Sequence, residues 1–240
     1  MTDQKHIKLN KKALKKNELA IIVDHTIQYA RQNPKKIIIP LVAILIGIVL
    51  ISSTVTYFRG QQKSAELGLL EAIQIYHTAI QSPDKASQTI NYTQCLEKFK
   101  NIALNYSRTN SGQYAKLYLG DVYFRLGRNV EAIKTYQDIL QATPRGFTGA
   151  WAQLSLGYVF MNQNDYPKAV TAFDQLVIRH PESFLVPEAL VQLGKNYEQT
   201  GNFVKAKDCY TRVVKTYPTS AWVSEATGRL STLSGFKSGE

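Results

Sequence analysis

Residues 193–218 read LGKNYEQTGNFVKAKDCYTRVVKTYP, and the fold of most of the chain can be worked out from this stretch. Its pattern of small, aromatic and proline residues occurs in three copies, each 37 residues from the next. Chance does not align this many independent positions, so the chain contains an internal repeat. The repeated positions are Leu119-Gly120, Leu156-Gly157 and Leu193-Gly194; Tyr123, Phe160 and Tyr197; Ala132, Ala169 and Ala206; Tyr136, Phe173 and Tyr210; and Pro144, Pro181 and Pro218.

Each repeated position has a physical reason that points to a pair of antiparallel helices. Gly and Ala allow two helices to approach closely, and an aromatic ring three or four residues onward fills the space beside them. Turn residues such as Gly201 and Asn202 separate the two helices. Pro218 ends the second helix because proline cannot continue the intrahelical hydrogen bonds. The sequence therefore predicts an all-α domain built from helical hairpins.

The order of these residues resembles the tetratricopeptide repeat (TPR) family, whose repeats are about 34 residues long. The spacing from Leu193 to Pro218 is normal for that family, so about three extra residues per unit fall between repeats. One family feature is missing, because Lys116, Gln153 and Leu190 replace the large aromatic residue near the start of the first helix. The resemblance implies a TPR-like helical-hairpin solenoid that binds protein segments.

The chain divides around this array into segments with different expected roles. A degenerate repeat is expected before the three clear ones, with its first helix within Gln62–Ile80 and its second at Tyr92–Tyr106. The polar stretch Gln81–Asn91 is expected to be an insertion between those helices. The predicted boundaries are 1–36 for a basic tail, 37–58 for a transmembrane helix, 59–112 for a linker helix and degenerate first repeat, 113–146, 150–183 and 187–220 for the clear repeats, and 221–240 for a capping helix and tail.

Residues 37–58, IIIPLVAILIGIVLISSTVTYF, contain no charged residue and predict a single transmembrane helix. A helix of this length reaches roughly 33 Å, enough for a hydrocarbon core of about 30 Å. Pro40 is expected in its first turn, where the missing N–H costs little. Tyr57 and Phe58 close the far end as interfacial anchors. A cleaved signal peptide is disfavoured, because the apolar run exceeds the usual length of about 7–15 residues.

The net charge of +11 is concentrated before the apolar run. Residues 1–36 hold nine Lys or Arg against three acids and contribute +6, whereas the other 204 residues contribute +5. The positive-inside rule then places residues 1–36 in the cytoplasm and residues 59–240 in the periplasm of a bacterial inner membrane. A basic tail beside a span is expected on these grounds, and no base-reading motif accompanies it. Nucleic-acid binding is therefore not predicted.

The basic tail also contains a candidate amphipathic helix at Glu18–Gln32, ahead of the helix-breaking pair Asn33 and Pro34. Apolar residues recur along it at roughly helical spacing. Such a helix beside a membrane either lies along the lipid surface or binds a partner. Both interpretations stay open.

No motif for catalysis or cofactor binding occurs in the sequence. There is no nucleotide-binding loop, zinc-ligand spacing or nucleophile elbow, and the four histidines are scattered. Cys95 and Cys209 fall in separate repeats, which a linear array keeps too far apart for a disulfide. They are expected to be helix-packing thiols. The sequence predicts a protein that is not an enzyme and that uses no cofactor or metal.

A concave groove lined by the first helices is the predicted binding site for a peptide or a partner helix. The candidates from the first two clear repeats are mainly apolar, and the third repeat adds charge. The alternative, in which several of these residues only pack against neighbouring helices, stays open. The nine candidates are Leu117, Asp121, Phe124, Leu154, Tyr158, Met161, Val191, Lys195 and Glu198.

The layout of the whole chain is similar to the YfgM-type ancillary subunit of the Sec translocon. Both have a basic cytoplasmic tail, one span and a repeat domain on the far side. That resemblance implies contacts with translocon subunits, periplasmic chaperones and emerging polypeptides. The leading hypothesis is therefore a periplasmic adaptor or chaperone-like scaffold. The alternative is a structural assembly factor of a cell-envelope complex, acting through its span and tail.

Overall fold

A computed structural model describes residues 11–235, and every regular element in that range is an α-helix. The prediction of an all-α fold is confirmed. The helices are α1 (Lys11–Gln32), α2 (Pro34–Gln81), α3 (Lys85–Asn105), α4 (Asn110–Arg125), α5 (Asn129–Ala142), α6 (Gly146–Asn162), α7 (Tyr166–Arg179), α8 (Val186–Gln199), α9 (Phe203–Thr216) and α10 (Val223–Gly235).

The chain forms two units, of which the first ends at Arg59 and the second begins at Gly60. The first unit contains α1 and the apolar part of α2. Large apolar side chains between Ile38 and Phe58 are 42 to 67% exposed. Within residues 11–235, α2 is the one helix long and apolar enough to cross a membrane, and its most apolar stretch contains no buried residue.

The helix ends around the apolar stretch differ from the prediction. α1 begins at Lys11 rather than at Glu18, since lysine is a good helix former and extends the helix without an apolar periodicity. α2 begins at Pro34, which takes the first helical position that proline favours. Pro40 therefore lies in the second turn and not in the first. α2 also continues beyond Phe58.

The second unit contains one helical hairpin for each clear repeat, formed by α4 with α5, α6 with α7, and α8 with α9. The turn inside each hairpin contains one residue with a positive φ: Gly127 at 74°, Asn164 at 60° and Gly201 at 74°. Glycine enters this region freely, and asparagine tolerates it better than most residues. These three residues are spaced by 37 positions, so the turn repeats along with the helices.

The degenerate first hairpin has a much shorter connection than predicted. α2 ends at Gln81 and α3 begins at Lys85, so most of Gln81–Asn91 is helical and not an insertion. The Asp84 carboxylate caps α3 by accepting a hydrogen bond from the Ser87 N–H at 2.8 Å. The polar composition arises because these first turns of α3 lie mostly at the surface.

The C-terminal helix α10 closes one end of the core of the second unit. Its Ala226 is fully buried, and its Leu230 packs against the cluster that contains Tyr210 and Val213 of α9. A terminal helix of this kind covers apolar surface that the last hairpin would otherwise expose.

Candidate protein-binding groove

A groove of about 500 Å³ lies in the second unit, where first helices of neighbouring hairpins meet. Three helices supply its walls: the C-terminal part of α2, then α4, then α6. Apolar and aromatic side chains make up most of the lining. The lining residues are Leu69, Ile73, Tyr76, Tyr114, Leu117, Tyr118, Asp121, Arg125, Phe147 and Trp151.

Contacts between aromatic rings hold one wall of the groove in place. The ring of Tyr118 stacks on Phe99 with a centroid separation of 5.0 Å, and Tyr76 meets Tyr118 edge-on at 5.4 Å. Phe99 is fully buried, so this wall rests on the core of the first hairpin. Aromatic pairs at these separations add stabilisation beyond the area that they bury. The groove is therefore largely preformed.

Four exposed aromatic residues form a contiguous cluster, which we call the aromatic edge: Tyr114, Phe147, Trp151 and Phe184. The first three line the groove, and Phe184 stacks on Phe147 beside it. Phe147 lies at its centre, with ring-centroid distances of 5.9 Å to Tyr114, 5.5 Å to Trp151 and 6.1 Å to Phe184. The four side chains are between 38 and 68% exposed. An exposed aromatic cluster of this kind is typical of an interaction site.

One ion pair lies among the apolar residues of the groove. The Tyr76 hydroxyl donates a hydrogen bond to the Asp121 carboxylate, and Arg125 Nε lies 3.5 Å from the same carboxylate. Burial, followed by the negative charge of Asp121, raises the pKa of Tyr76. Tyr76 therefore stays protonated as a donor at physiological pH. The Arg125 side chain is half exposed and offers a cation to a bound segment.

The structure brings two of the nine predicted groove residues to this groove, Leu117 and Asp121. Leu117, Leu154 and Val191 occupy equivalent positions in the three repeats and are only 7, 4 and 0% exposed. Leu117 contributes to the floor of the groove. Leu154 and Val191 lie inside the core and offer no surface to a partner, contrary to expectation, because this position packs one hairpin against the next.

Three further candidates are half-buried and make intramolecular contacts: Tyr158 and Met161 from the second clear repeat, and Phe124 from the first. The Tyr158 hydroxyl donates a 2.5 Å hydrogen bond to the Glu188 carboxylate of α8. The Met161 sulfur accepts a hydrogen bond from Asn196 Nδ2 at 3.3 Å, and Phe124 packs against the cluster between the first two clear repeats. These residues hold neighbouring hairpins together.

The two candidates from the third clear repeat are paired with α10. Lys195 forms an ion pair with Glu225. Glu198 accepts hydrogen bonds from the Tyr210 hydroxyl at 2.5 Å and from Arg229 at 3.2 Å. The C-terminal helix thus contacts charged side chains that the sequence assigned to an open groove.

Sequence reasoning missed the four residues of the aromatic edge, although the repeat contained a signal for them. Tyr114 and Trp151 are 37 residues apart, and so are Phe147 and Phe184. Trp151 stands two positions before the column in which the TPR pattern has its large aromatic residue. A search for aromatic residues on the 37-residue spacing outside the expected column would have found both pairs.

A second cleft, of about 640 Å³, lies among α3, α4 and α5 and has a different character. Lysine and carboxylate side chains line much of it, including Lys116 and Asp138, which are 3.8 Å apart. Tyr123 is the single aromatic side chain among the described residues of its lining, and Arg128 covers that ring at 4.7 Å. The groove with the aromatic edge is therefore the better candidate for binding an apolar segment.

No cluster of three or more His, Cys, Asp or Glu side chains suited to a metal ion occurs in the part of the chain that the structure describes. Cys95 and Cys209 are both buried, free thiols. Burial raises the pKa of each thiol to about 12, so neither provides a reactive thiolate near neutral pH.

Comparison with protein families identifies one matching model, described as a tetratricopeptide repeat-like domain, over residues 28–230. No curated protein matches the sequence significantly.

Solved structures that resemble this chain share its fold. A tetratricopeptide repeat protein from Parabacteroides merdae is 17% identical with a TM-score of 0.52; the match covers 70% of this chain and 61% of that protein. A protein from Podosopora anserina, described as a kinesin light chain with nearly identical TPR-like repeats, is 15% identical with a TM-score of 0.50. That match covers 74% of this chain and 85% of the other. This chain thus spans less than two thirds of the length of the first of these proteins.

Proposed function

The chain belongs to the tetratricopeptide repeat-like domain family, and from that premise we propose that it is a membrane-anchored scaffold that binds a segment of a partner protein. The groove between α2, α4 and α6 is the binding site in this proposal. In this proposal the protein has no catalytic role, and its function is to hold another protein.

The observation that carries the proposal is the aromatic groove with its exposed edge. A volume of about 500 Å³ lies within the range of roughly 300–1,000 Å³ typical of ligand sites. Tyr114, Phe147 and Trp151 offer flat apolar surfaces to large side chains, and Arg125 offers a cation to a carboxylate or a main-chain carbonyl. A short helix or an extended stretch with aromatic or aliphatic residues suits this lining.

The membrane anchor in this proposal is residues 37–58, with the repeat domain on the periplasmic side of a bacterial inner membrane. The exposed apolar side chains of α2 and the basic residues before them support this topology. The layout similar to the YfgM-type subunit suggests translocon subunits, periplasmic chaperones or emerging polypeptides as partners. In that setting the groove handles envelope proteins close to the membrane.

Site-specific photocrosslinking in the native membrane tests the proposal. A photoreactive residue at Tyr114, at the mouth of the groove, is expected to capture unfolded or translocating polypeptides, chaperones or translocon subunits. Trp151→Ala in the same protein should reduce that capture. Gln137, exposed on α5 away from the groove, is the control position and should capture none of them.

Two results would argue against the groove. Equal products from Tyr114 and Gln137 would show that capture is not specific to the lining. Products only from probes within residues 1–36 or 37–58 would favour the alternative function, a structural assembly factor that acts through its tail and span.

A further inference from the structure

The aromatic edge includes exposed ring surface that lies outside the peptide groove. Phe184 stacks on Phe147 but does not line the groove, and it is 68% exposed. Phe147 is itself 44% exposed. Water-exposed rings that continue a cluster outside a binding groove call for a second surface that covers them.

A hydrogen-bond pair locates this edge relative to the path of the chain. Gln62 Nε2 donates to Ser111 Oγ at 3.1 Å, and the Asn110 N–H donates to Gln62 Oε1 at 3.2 Å. Tyr114 is one helical turn after Asn110. Gln62 is the third residue of the second unit, which begins at Gly60. The aromatic edge is therefore the edge of the second unit that the chain enters directly after the apolar stretch.

Basic residues outnumber acidic residues on the segments that lead into α4, α6, α8 and α10 at this edge. These segments, counted from the last turn of each preceding helix, carry four bases and one acid, Glu182. Glu188 and Glu225 follow in the first turns of α8 and α10, where they pair with Tyr158 and Lys195. The four bases are Arg108, Arg145, Arg179 and Lys215, all of them exposed.

We propose that the aromatic edge rests on the surface of an anionic phospholipid bilayer, with Phe147 and Phe184 in the headgroup region and Arg108 and Arg145 near lipid phosphates. Aromatic rings favour the membrane–water interface, and basic side chains are attracted to anionic headgroups. The contact rests on the membrane anchoring proposed above. Its consequence is that the mouth of the groove opens at the membrane surface, next to segments that leave the bilayer.

The opposite edge of the hairpins supplies a matched control. Phe203 begins α9 at the turn after α8, roughly 20 Å along α8 from Phe184, and is 57% exposed. The bases at that edge include Arg128 and Lys168, which pair with acids within their own turns. Exposure of an aromatic ring is thus similar at the two edges, while the cluster of four contacting rings lies at the aromatic edge.

Tryptophan fluorescence in the full-length protein, reconstituted into vesicles, tests the contact. Trp151→Phe and Trp222→Phe remove the two native tryptophans and keep aromatic rings in place. Single reporters are then introduced as Phe184→Trp, Phe58→Trp or Phe203→Trp. Brominated phospholipids quench a tryptophan that lies at the bilayer. With phosphatidylglycerol present, emission should be lost for Phe184→Trp and Phe58→Trp and retained for Phe203→Trp.

Each other outcome has a distinct meaning. Quenching of Phe58→Trp without quenching of Phe184→Trp overturns the edge contact and leaves the anchor intact, whereas quenching of neither overturns both. If the Phe184→Trp reporter is protected from acrylamide but is not quenched by the brominated lipids, the aromatic edge contacts a protein and not the bilayer. That result overturns the proposal. Weaker quenching of Phe184→Trp after Arg108→Gln with Arg145→Gln supports it. None of these readouts depends on capture of a peptide in the groove.

Discussion

Gly157 on α6 packs directly against the ring of Phe173 on α7, and a Cβ atom at position 157 would lie 2.5 Å from Cε1 of that ring. Phe173 is fully buried, so the ring has no space into which it can move. This contact brings the two helices of a hairpin together and explains why glycine recurs at this position. The other two repeats contain the same contact, between Gly120 and Tyr136 and between Gly194 and Tyr210.

Gly157→Ala should destabilise the protein, because overpacking a close helix contact typically costs about 1–3 kcal/mol. That cost outweighs the gain in helix propensity of about 0.5–1 kcal/mol. Chemical denaturation of full-length protein in detergent measures the change. Gly228→Ala on α10 is the control, since nothing lies within 4 Å of a Cβ there, and it should be neutral or stabilising. Equal stability of the Gly157→Ala variant and the parent would contradict the packing argument.

Tyr158→Phe should weaken the contact between the second and third clear repeats. The Tyr158 hydroxyl donates to the Glu188 carboxylate, and a hydrogen bond to a charged group contributes about 1.5–3 kcal/mol. A loss near the lower end is expected, because both side chains are partly exposed. Tyr166→Phe, which removes an exposed hydrogen bond from the hydroxyl to Asn164 Oδ1, should change the free energy of unfolding much less.

The effect of Tyr158→Phe should also depend on pH. Burial, followed by the hydrogen bond to Glu188, raises the pKa of Tyr158 above its usual value of 10.0. The unfolded chain therefore ionises at a lower pH than the folded one, and the stabilisation from Tyr158 is lost as pH rises above about 10. Phenylalanine cannot ionise, so the stability difference between the two proteins should narrow over that range. A stability difference that stays constant over this pH range would show that the Tyr158 hydroxyl is solvated in the folded protein.

The two cysteines should be unreactive in the folded protein. Burial raises the pKa of Cys95 and Cys209 from 9.0 to about 12, so a thiol reagent at pH 8 should label neither until the protein unfolds. The raised pKa also means that stability falls as pH rises from 9 towards 12, because the unfolded thiols ionise first. A Cys95→Ala, Cys209→Ala variant should lose less stability over that range. Rapid labelling of the folded parent would show that the thiols are accessible.

The sequence predicted the hairpins well because their close contacts need particular residues. A backbone approach such as that at Gly157 tolerates only glycine, and a left-handed turn such as that at Gly201 favours the same residue, so both leave a periodic trace. The start of α3 was missed for the opposite reason. Its first turns lie at the surface, and in a single sequence a polar helix at the surface has the same polar composition as a loop.

The position of the groove could not be read from the repeat alone. The repeat identifies equivalent residues, but their exposure depends on how each hairpin meets the next one. Leu154 is buried by the following hairpin, and Lys195 and Glu198 are paired with α10, a helix outside the repeated unit. Contacts between non-equivalent elements are not periodic, and so the pattern contains no signal for them.

Asn196 on α8 is a buried polar residue at a position where the two preceding repeats have Val122 and Val159. It is 1% exposed, and its side-chain carbonyl oxygen has no hydrogen-bond partner among the residues that the structure describes. Its Nδ2 donates to the Gln192 carbonyl at 2.8 Å and to the Met161 sulfur, a weak acceptor, at 3.3 Å. A buried acceptor without a partner costs roughly 1–3 kcal/mol, whereas the bond donated to the carbonyl contributes about 1 kcal/mol.

Asn196→Val should therefore stabilise the protein by about 1 kcal/mol, because the unpaired oxygen is removed and valine fills the site as it does in the other repeats. Thermal and urea unfolding of full-length protein in detergent would measure the change. The reverse substitution Val159→Asn serves as the matched control and should destabilise strongly, since it buries a new amide in the same kind of site. A loss of stability in Asn196→Val would show that the Asn196 side-chain oxygen has a polar partner, or that its donated hydrogen bonds outweigh the cost of burying that oxygen.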